Sequence, residues 1–210
     1  TTHIRYSNTM DEKKVLALKL NKCGAVKFGS FILKSGIESP IYIDLRVLVS
    51  HPEILKLVAR VLQRKAETLE FDRVAAIPYA AIPIATALSL ESGWPMIYTR
   101  KEAKDYGTKK MIEGEYKEGE RVLVLDDLIT TGSSKFDGMQ PLEAAGLRVK
   151  DILVLIDREQ GGGKMLAERG YTLHAILTLS EILDALEEKG TLTPTQRKEI
   201  QTRLKLPPRA

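Results

Sequence analysis

The sequence predicts an α/β fold in which a central, mainly parallel sheet is flanked by helices, and three observations lead to this prediction. Residues 122–125 (VLVL) and 152–156 (ILVLI) are continuous apolar runs, which are typical of strands buried on both faces. Runs of strand length alternate along the chain with segments whose apolar residues recur at helical spacing. A chain of 210 residues, 43% apolar and 29% charged, has the composition of one globular domain, which excludes wholesale disorder.

The N-terminal part of the chain is expected to form a helix followed by a hairpin. Residues 11–21 carry apolar side chains at a spacing that favours a helix. The short apolar runs 31–33 and 41–43 flank a connection that contains Gly36 and Pro40, which is typical of a β-hairpin.

A second helix is expected to follow the hairpin. Ser50 and Glu53 have the spacing of a capping box, in which Ser50 is the N-cap and Glu53 reaches back to it. The apolar residues behind them recur at helical spacing and predict a helix that ends before Phe71.

Strands and helices are then expected to alternate. The strands are predicted over residues 74–77, 96–99, 122–125, 152–156 and 173–179, and the helices between them over residues 82–91, 133–145 and 164–169. Residues 180–189 are also predicted to be helical. Thr193 and Gln196 have the spacing of another capping box, with Pro194 in the first turn of a last helix.

Composition and charge exclude several classes of function. Cys23 is the only cysteine, which excludes an internal disulfide and a zinc site made of cysteines alone. The net charge of +4 is mild and suits anionic small ligands as readily as nucleic acid. The longest uncharged stretch, residues 74–90, is too short and too interrupted by proline to span a membrane, and no apolar secretory signal is visible. A cytoplasmic protein without a membrane partner is therefore expected.

The segment after the apolar run 122–125 has the composition of a site for a phosphorylated sugar. Asp126 and Asp127 are followed by Gly132 and by four hydroxyl side chains, those of Thr130, Thr131, Ser133 and Ser134. Ligands of open α/β sheets bind at the carboxyl ends of the strands, and a helix N-terminus offers N–H groups to a phosphate. The carboxylates can accept hydrogen bonds from sugar hydroxyls or hold Mg²⁺. The alternative, that the acids merely end a strand and the hydroxyls cap a helix, explains less of the pattern.

Other glycine patterns are weaker. The chain has neither a Walker A loop nor a Gly-x-Gly-x-x-Gly motif after a strand, which argues against kinase-type and dinucleotide-binding proteins. The cluster Gly161, Gly162 and Gly163 is as readily a flexible turn as a ligand contact.

Four segments carry a resemblance to a known family. Residues 122–134 (VLVLDDLITTGSS) resemble the phosphoribosyl pyrophosphate (PRPP) motif of type I phosphoribosyltransferases. Residues 100–107 (RKEAKDYG) are similar to the mobile catalytic loop of orotate phosphoribosyltransferases. Residues 28–40 (FGSFILKSGIESP) resemble their orotate-binding segment, and residues 157–161 (DREQG) resemble their base-binding stretch. The sequences of these segments are closer to the orotate domain of bifunctional UMP synthases than to typical bacterial enzymes.

The resemblance implies a fold, a reaction and partners. The fold is that of type I phosphoribosyltransferases, a single domain over residues 1–210 in which about residues 1–45 and a C-terminal part form a small hood over the core. The reaction converts orotate and PRPP to orotidine 5′-monophosphate and pyrophosphate, in UMP biosynthesis. The family forms homodimers in which the loop 100–110 crosses to the neighbouring site. The similarity to UMP synthases is also compatible with an orotidine monophosphate decarboxylase as a fused or associated partner. The resemblance implies no nucleic-acid partner.

The resemblance also implies roles in the PRPP site. Asp126 and Asp127 hold the ribose hydroxyls, and Mg²⁺ is held mainly through PRPP, near the same two acids. Arg100, Lys101 and Lys104 meet the pyrophosphate and, with the two acids, are the catalytic residues. The remaining PRPP-binding residues are Tyr79, Ala80, Tyr106, Leu128, Ile129, Thr130, Thr131, Gly132, Ser133 and Ser134.

In the orotate site, the resemblance implies that Lys34 pairs with the carboxylate or a carbonyl oxygen of the base, and that Arg158 is a second such group. Tyr42 and Ile43 wall the base, and Thr130 also touches it. Many relatives have two aromatic residues at the positions of Tyr42 and Ile43, so Ile43 departs from the family and does not support stacking of the base on this side.

Two positions in the PRPP site depart from the family. Ala80 stands where many bacterial relatives have a lysine, so one cation is missing from the pyrophosphate site. Tyr106 stands where many relatives have a histidine. A phenol is not a cation near pH 7, so no proton transfer from Tyr106 is expected.

Two alternative functions stay open. A phosphoribosyltransferase for adenine, hypoxanthine or uracil would not need Lys34 and Arg158 together, because these bases carry no carboxylate. A PRPP-binding regulator of nucleic acid is compatible with the positive net charge. However, no interleaving of aromatic and basic residues marks a surface on which bases could stack.

Overall fold

A computed structural model describes residues 9–32, 36, 38–101 and 111–207. The chain divides into two compact units. The terminal unit comprises the residues up to 54 together with those from 177 onward, and the central unit comprises residues 55–176.

The elements follow one another in the alternating order that the sequence predicts. They are α1 (Thr9–Lys22), β1 (Val26–Ile32), β2 (Glu38–Ile43), a 3-10 helix (Leu45–Ser50), α2 (Pro52–Ala66), β3 (Arg73–Ala76), α3 (Ala81–Ser92), β4 (Met96–Thr99), β5 (Ile112–Glu113), β6 (Arg121–Ile129), α4 (Ser133–Ala144), β7 (Arg148–Asp157), α5 (Gly162–Ala167), β8 (Thr172–Thr178), α6 (Leu179–Glu188) and α7 (Pro194–Leu204).

The central unit is built on a six-stranded sheet in the order β5-β4-β3-β6-β7-β8. Strand β3 is parallel to β4 and to β6, and β6 is parallel to β7, whereas the short edge strand β5 is antiparallel to β4. Its core includes Val124 of β6, Val154 of β7, and Met139 and Leu142 of α4. The predicted α/β class with a mainly parallel sheet is therefore confirmed.

In the terminal unit, β1 and β2 form the predicted antiparallel hairpin. Helix α1 contacts α6, and α7 contacts β2. Thr193 and Gln196 form the predicted capping box at the start of α7, and Thr178 and Glu181 form another at the start of α6. None of the described helices combines the length and the apolar character needed to cross a membrane.

The structure corrects the prediction of a capping box at Ser50. Ser50 ends the 3-10 helix, and α2 begins at Pro52, so the N-cap position falls on His51. The 3-10 helix runs from Leu45 to Ser50. Its start is capped by Asp44, whose side chain accepts from the Arg46 N–H. Its apolar residues Leu45 and Leu48 are buried. The strand β5, which has only two residues, was not predicted because it is too short for a periodicity.

One ion-pair cluster in the terminal unit yields a prediction about stability. Arg197 of α7 is 5% exposed and donates to Asp184 of α6 over 2.7 and 2.9 Å and to Gln201 over 2.8 Å. We expect Arg197→Met to lower the free energy of unfolding by about 2–4 kcal/mol, because it removes the buried guanidinium from its hydrogen bonds to Asp184 and Gln201. Urea unfolding followed by circular dichroism measures this change.

Lys198→Met is the matched control for Arg197→Met, since it removes one positive charge from the exposed face of the same helix. We expect it to change the free energy of unfolding by less than about 0.5 kcal/mol. Equal effects of the two substitutions would contradict the importance of the buried cluster.

Candidate active site

The predicted phosphate-binding segment joins β6 to α4. Strand β6 runs through Ile129, so Asp126 and Asp127 lie within the strand instead of ending it, which corrects the sequence prediction. The strand is longer than its apolar run because β7 continues to pair with it as far as Asp157. Gly132 is the N-cap of α4 and has a φ of 89°, a conformation that favours glycine. The side chains of Thr131, Ser133 and Ser134 are exposed at this helix N-terminus.

The two neighbouring carboxylates have different surroundings. Asp126 is 6% exposed. One of its oxygens accepts from the Asp127 N–H over 2.7 Å, and the other contacts Nζ of Lys135. Burial raises the pKa of Asp126 to about 7, although the positive charge of Lys135 acts in the opposite direction. Asp127 is half-buried and accepts from the Leu128 N–H over 2.8 Å, so its carboxylate is the more accessible one.

Lys135 is a residue that the sequence reasoning missed. It is 7% exposed and lies in the first turn of α4, directly after the run of hydroxyl side chains. The signal that could have found it is the placement of a lysine on the helix that follows two buried-strand acids.

Within the glycine cluster, Gly162 makes a close packing contact. Gly162 is buried at the start of α5. A Cβ atom on it would lie 2.6 Å from Cγ1 of Ile129 and 2.8 Å from the carbonyl oxygen of Thr130. A Cβ atom on Gly132 would in turn lie 3.3 Å from the carbonyl oxygen of Gly162. The two glycines therefore allow α5 to pack closely against the phosphate-binding segment.

Arg158 lies beside the same segment. Its backbone N–H donates to the Ile129 carbonyl oxygen over 2.9 Å, which joins the residue after β7 to the end of β6. Its Nε atom is buried and has no hydrogen-bond partner in the described part of the chain. Burial lowers the pKa of the Arg158 guanidinium and raises that of the adjacent Asp157 carboxyl. Arg158 as a whole is half-buried, and its guanidinium suits an anionic or carbonyl-bearing ligand.

A second part of the candidate site follows β3 and β4. A cavity of about 300 Å³ is lined by Pro78, Tyr79, Ile82, Tyr98, Thr99, Arg100, Lys101 and Glu113. The Tyr79 side chain is exposed, and Nζ of Lys101 lies 4.4 Å from the centroid of its ring. Arg100 is paired with Glu113 of β5 over 2.8 Å. Ala80 is buried at the start of α3 and adds no polar side-chain atom to the cavity.

Thr99 is a second residue that the sequence reasoning missed. It is 1% exposed and is one of the residues that line the cavity, and its buried hydroxyl has no hydrogen-bond partner among the residues that the structure describes. Its position at the end of β4, directly before two basic residues, was the available signal.

In the terminal unit, Tyr42 and Ile43 end β2 and are half-buried. The ring of Phe31 on β1 lies 5.5 Å from that of Tyr42, so this unit holds a second aromatic side chain that the sequence reasoning did not assign. The predicted site residues Lys34, Lys104 and Tyr106 lie outside the described residues.

Comparisons with known proteins agree with this geometry. A family model described as a phosphoribosyl transferase domain matches residues 46–168. An orotate phosphoribosyltransferase of Pyrococcus furiosus is 40% identical over 84% of the chain, and the match covers 97% of that relative. The chain belongs to the orotate phosphoribosyltransferase family. A solved orotate phosphoribosyltransferase of Aeropyrum pernix has a TM-score of 0.72 at 36% identity and covers 84% of this chain and 99% of that one, which confirms the predicted fold.

Members of this family also occur within longer proteins. The uridine 5′-monophosphate synthase of Bos taurus is 47% identical over 79% of the chain, and the match covers 35% of that relative. The UMP synthase structure of Leishmania donovani has a TM-score of 0.85 at 43% identity and covers 92% of this chain and 42% of that one. The chain thus spans less than half of the length of these relatives.

Proposed function

We propose that this protein transfers the 5-phosphoribosyl group from PRPP to orotate, which gives orotidine 5′-monophosphate and pyrophosphate in UMP biosynthesis. The observation that carries the proposal is the position of Arg158. Its backbone N–H donates to the Ile129 carbonyl oxygen, so the half-buried Arg158 directly follows the end of β6 in space, and its Nε has no hydrogen-bond partner among the described residues. Orotate carries a carboxylate and two carbonyl groups, which are hydrogen-bond acceptors for a guanidinium.

The segment between β6 and α4 is proposed to bind the ribose 5-phosphate part of PRPP. The exposed hydroxyls of Thr131, Ser133 and Ser134 and the N–H groups at the start of α4 suit the phosphate, because the helix dipole favours negative charge there. Asp127, with its accessible carboxylate, accepts hydrogen bonds from the ribose hydroxyls, and Asp126 supports it from the interior of the strand.

The cavity after β3 and β4 is proposed to hold the pyrophosphate. Lys101, with Arg100 and Lys104, stabilises the negative charge that develops as pyrophosphate leaves, which is the main task in this reaction. The buried hydroxyl of Thr99 is available as a further donor. Because Ala80 has no cationic side chain, backbone N–H groups are proposed to contact the pyrophosphate at this position.

The residues fit a magnesium ion that is held mainly by the substrate. No group of three or more His, Cys, Asp and Glu side chains within the described ranges could hold a metal ion. Asp127 offers oxygen ligands, and Mg²⁺ commonly takes one or two carboxylates and completes its shell with phosphate oxygens and water. When bound, the ion would neutralise charge on the pyrophosphate.

The residues that the resemblance assigns to the base complete the proposed site. Arg158 and Lys34 pair with the carboxylate and carbonyl oxygens of the base, Tyr42 and Ile43 wall it, and Thr130 touches it from the phosphate-binding segment. The half-buried positions of Tyr42 and Ile43 on β2 are compatible with this role. The proposal includes the predicted hood, formed by about residues 1–45 and a C-terminal part.

The predicted partners are part of the proposal. We infer a cytoplasmic homodimer in which the loop 100–110 crosses to the neighbouring site, as the family resemblance implies. An orotidine monophosphate decarboxylase is proposed as a fused or associated partner, since the similar Bos taurus protein is a uridine 5′-monophosphate synthase and another relative, from a Nostoc strain, is a bifunctional enzyme PyrF/PyrE.

The release of pyrophosphate from PRPP and Mg²⁺ tests the proposed function, with orotate, uracil, hypoxanthine and adenine supplied in parallel. We expect release with orotate alone. Release with another base would retain the PRPP site but overturn the orotate assignment. PRPP binding without release on any base would favour a regulatory protein instead.

Arg158→Ala tests the base site directly. We expect it to raise the KM for orotate by about tenfold or more, because it removes a charge-assisted hydrogen bond to the base, while the KM for PRPP changes little. The matched control is Arg169→Ala, which removes the same charge from an exposed arginine of the same unit. The Arg169 guanidinium also contacts an aromatic ring, that of Phe136, over 3.8 Å. An unchanged KM for orotate in Arg158→Ala would remove Arg158 from the base site.

A further inference from the structure

The ion pair between Asp126 and Lys135 closes the phosphate-binding segment on itself. Asp126 lies in β6, where it is paired in register with Val154 of β7, and is thereby held by the sheet. Lys135 lies in the first turn of α4, and its N–H donates to the Gly132 carbonyl oxygen over 3.0 Å. The side-chain contact between them therefore joins the strand before the segment to the helix after it.

Both side chains of the pair are withdrawn from solvent. The side chain of Lys135 is 9% exposed and that of Asp126 is 7% exposed. A lysine with so little exposure is rare unless it is paired, and the same holds for an aspartate. Each side chain is thus the condition for burying the other, and a change of one leaves an uncompensated charge at the base of the segment.

Because of the ion pair, the two neighbouring acids have different hydrogen-bond partners. Asp126 has a partner on each carboxylate oxygen, the Asp127 N–H and Nζ of Lys135. Asp127 accepts from the Leu128 N–H and is the more exposed acid. Because Lys135 compensates one of the two negative charges, a phosphorylated ligand meets less repulsion from the acids than their sequence suggests.

We propose that Lys135 is a positioning residue for PRPP, which acts through Asp126 to hold the start of α4 and the hydroxyls of residues 130–134 in the shape that binds the ribose 5-phosphate. This inference rests on the proposed function, which it deepens. In this arrangement, Asp127 is the acid that contacts the ribose, and Asp126 and Lys135 act together as a structural clasp. Buried ion pairs are best known for selecting one arrangement over others, which is the role assigned to this one.

Four variants test the clasp: Lys135→Met, Asp126→Asn, the double variant Asp126→Asn/Lys135→Met, and the control Lys150→Met. Lys150 is exposed near the start of β7, before Val154, which pairs with Asp126, and its substitution removes the same charge. The measurements are kcat, the KM for PRPP and for orotate, and the Kd of PRPP with Mg²⁺ by calorimetry in the absence of orotate.

We expect Lys135→Met to raise the KM and the Kd for PRPP by about tenfold or more, while the KM for orotate stays within about twofold, because the segment that it holds contacts PRPP. The double variant should lose no more than Lys135→Met alone, since both single substitutions break the same ion pair. Lys150→Met should behave like the wild type.

Two results would overturn the proposal. One is a wild-type KM and Kd for PRPP in Lys135→Met. The other is a double variant whose loss equals the product of the two single losses, which would mean that Asp126 binds the sugar independently of Lys135. If Lys135→Met does not fold, Lys135→Gln, which keeps a donor but no charge, and the double variant decide the question in the same way.

The calorimetric measurement separates this proposal from the proposed function. A wild-type protein that binds PRPP but releases no pyrophosphate with orotate would contradict the proposed reaction. The dependence of PRPP binding on Lys135 would still be tested in that protein.

Discussion

Lys101→Met is expected to lower kcat by about 10²–10³ while the KM for orotate stays nearly unchanged. Lys101 lines the cavity proposed for pyrophosphate, where the ring of Tyr79 lies 4.4 Å from its ammonium group. A preorganised cation at the place where charge develops contributes to the transition state and little to the binding of the base. Steady-state kinetics with PRPP, Mg²⁺ and orotate measure the effect.

The matched control for this variant is Lys117→Met. Lys117 is an exposed lysine of the same unit, and it precedes β6 at the edge of a different cavity. We expect its kcat to stay within about twofold of the wild type. A kcat of Lys101→Met within the same range would show that the pyrophosphate is stabilised by other groups, of which Arg100 would be the first to replace.

Gly162→Ala is expected to lower kcat/KM for PRPP by about 10- to 100-fold. The added Cβ atom would lie 2.8 Å from the carbonyl oxygen of Thr130 and 2.6 Å from Cγ1 of Ile129. A backbone oxygen cannot rotate away as a side chain can, so the phosphate-binding segment itself has to shift. Displacements of the order of 1 Å in a binding segment cost rates of about this size.

The neighbouring glycine offers a control with the same chemistry. In Gly163→Ala, the nearest atom to the new Cβ is Cδ2 of Leu173 at 3.4 Å, which is an ordinary contact. Both positions lie in the first turn of α5, so the change in helix propensity is similar for the two variants. We expect Gly163→Ala to keep the wild-type kcat/KM for PRPP. Equal losses in the two variants would contradict the packing argument.

Sequence patterns predicted most of the fold because they repeat over many residues. The apolar runs at 122–125 and 152–156 became the central strands β6 and β7, and the capping box at Thr193 and Gln196 formed as expected. Each of these predictions rests on local chemistry, namely burial on both faces of a strand or the satisfaction of free N–H groups at a helix start.

The errors occurred where a distant partner decides the local structure. The strand β6 extends beyond its apolar run because β7 pairs with it as far as Ile129. The edge strand β5 exists through its pairing with β4 and has no pattern of its own. Ser50 was assigned to a helix cap by its spacing, but the buried Leu45 and Leu48 draw it into the preceding 3-10 helix.

The sequence by itself indicated the family and the α/β class, and it predicted the phosphate-binding segment, because the two acids, the hydroxyls and Gly132 are contiguous in the chain. Only the tertiary structure decided how these groups are used. Lys135 pairs with Asp126, Gly162 packs against the segment from α5, and Nε of Arg158 has no hydrogen-bond partner within the described ranges. The physical reason is that compensation of charge, close approach and satisfaction of hydrogen bonds depend on which atoms meet, and spacing along the chain does not report contacts between separate elements.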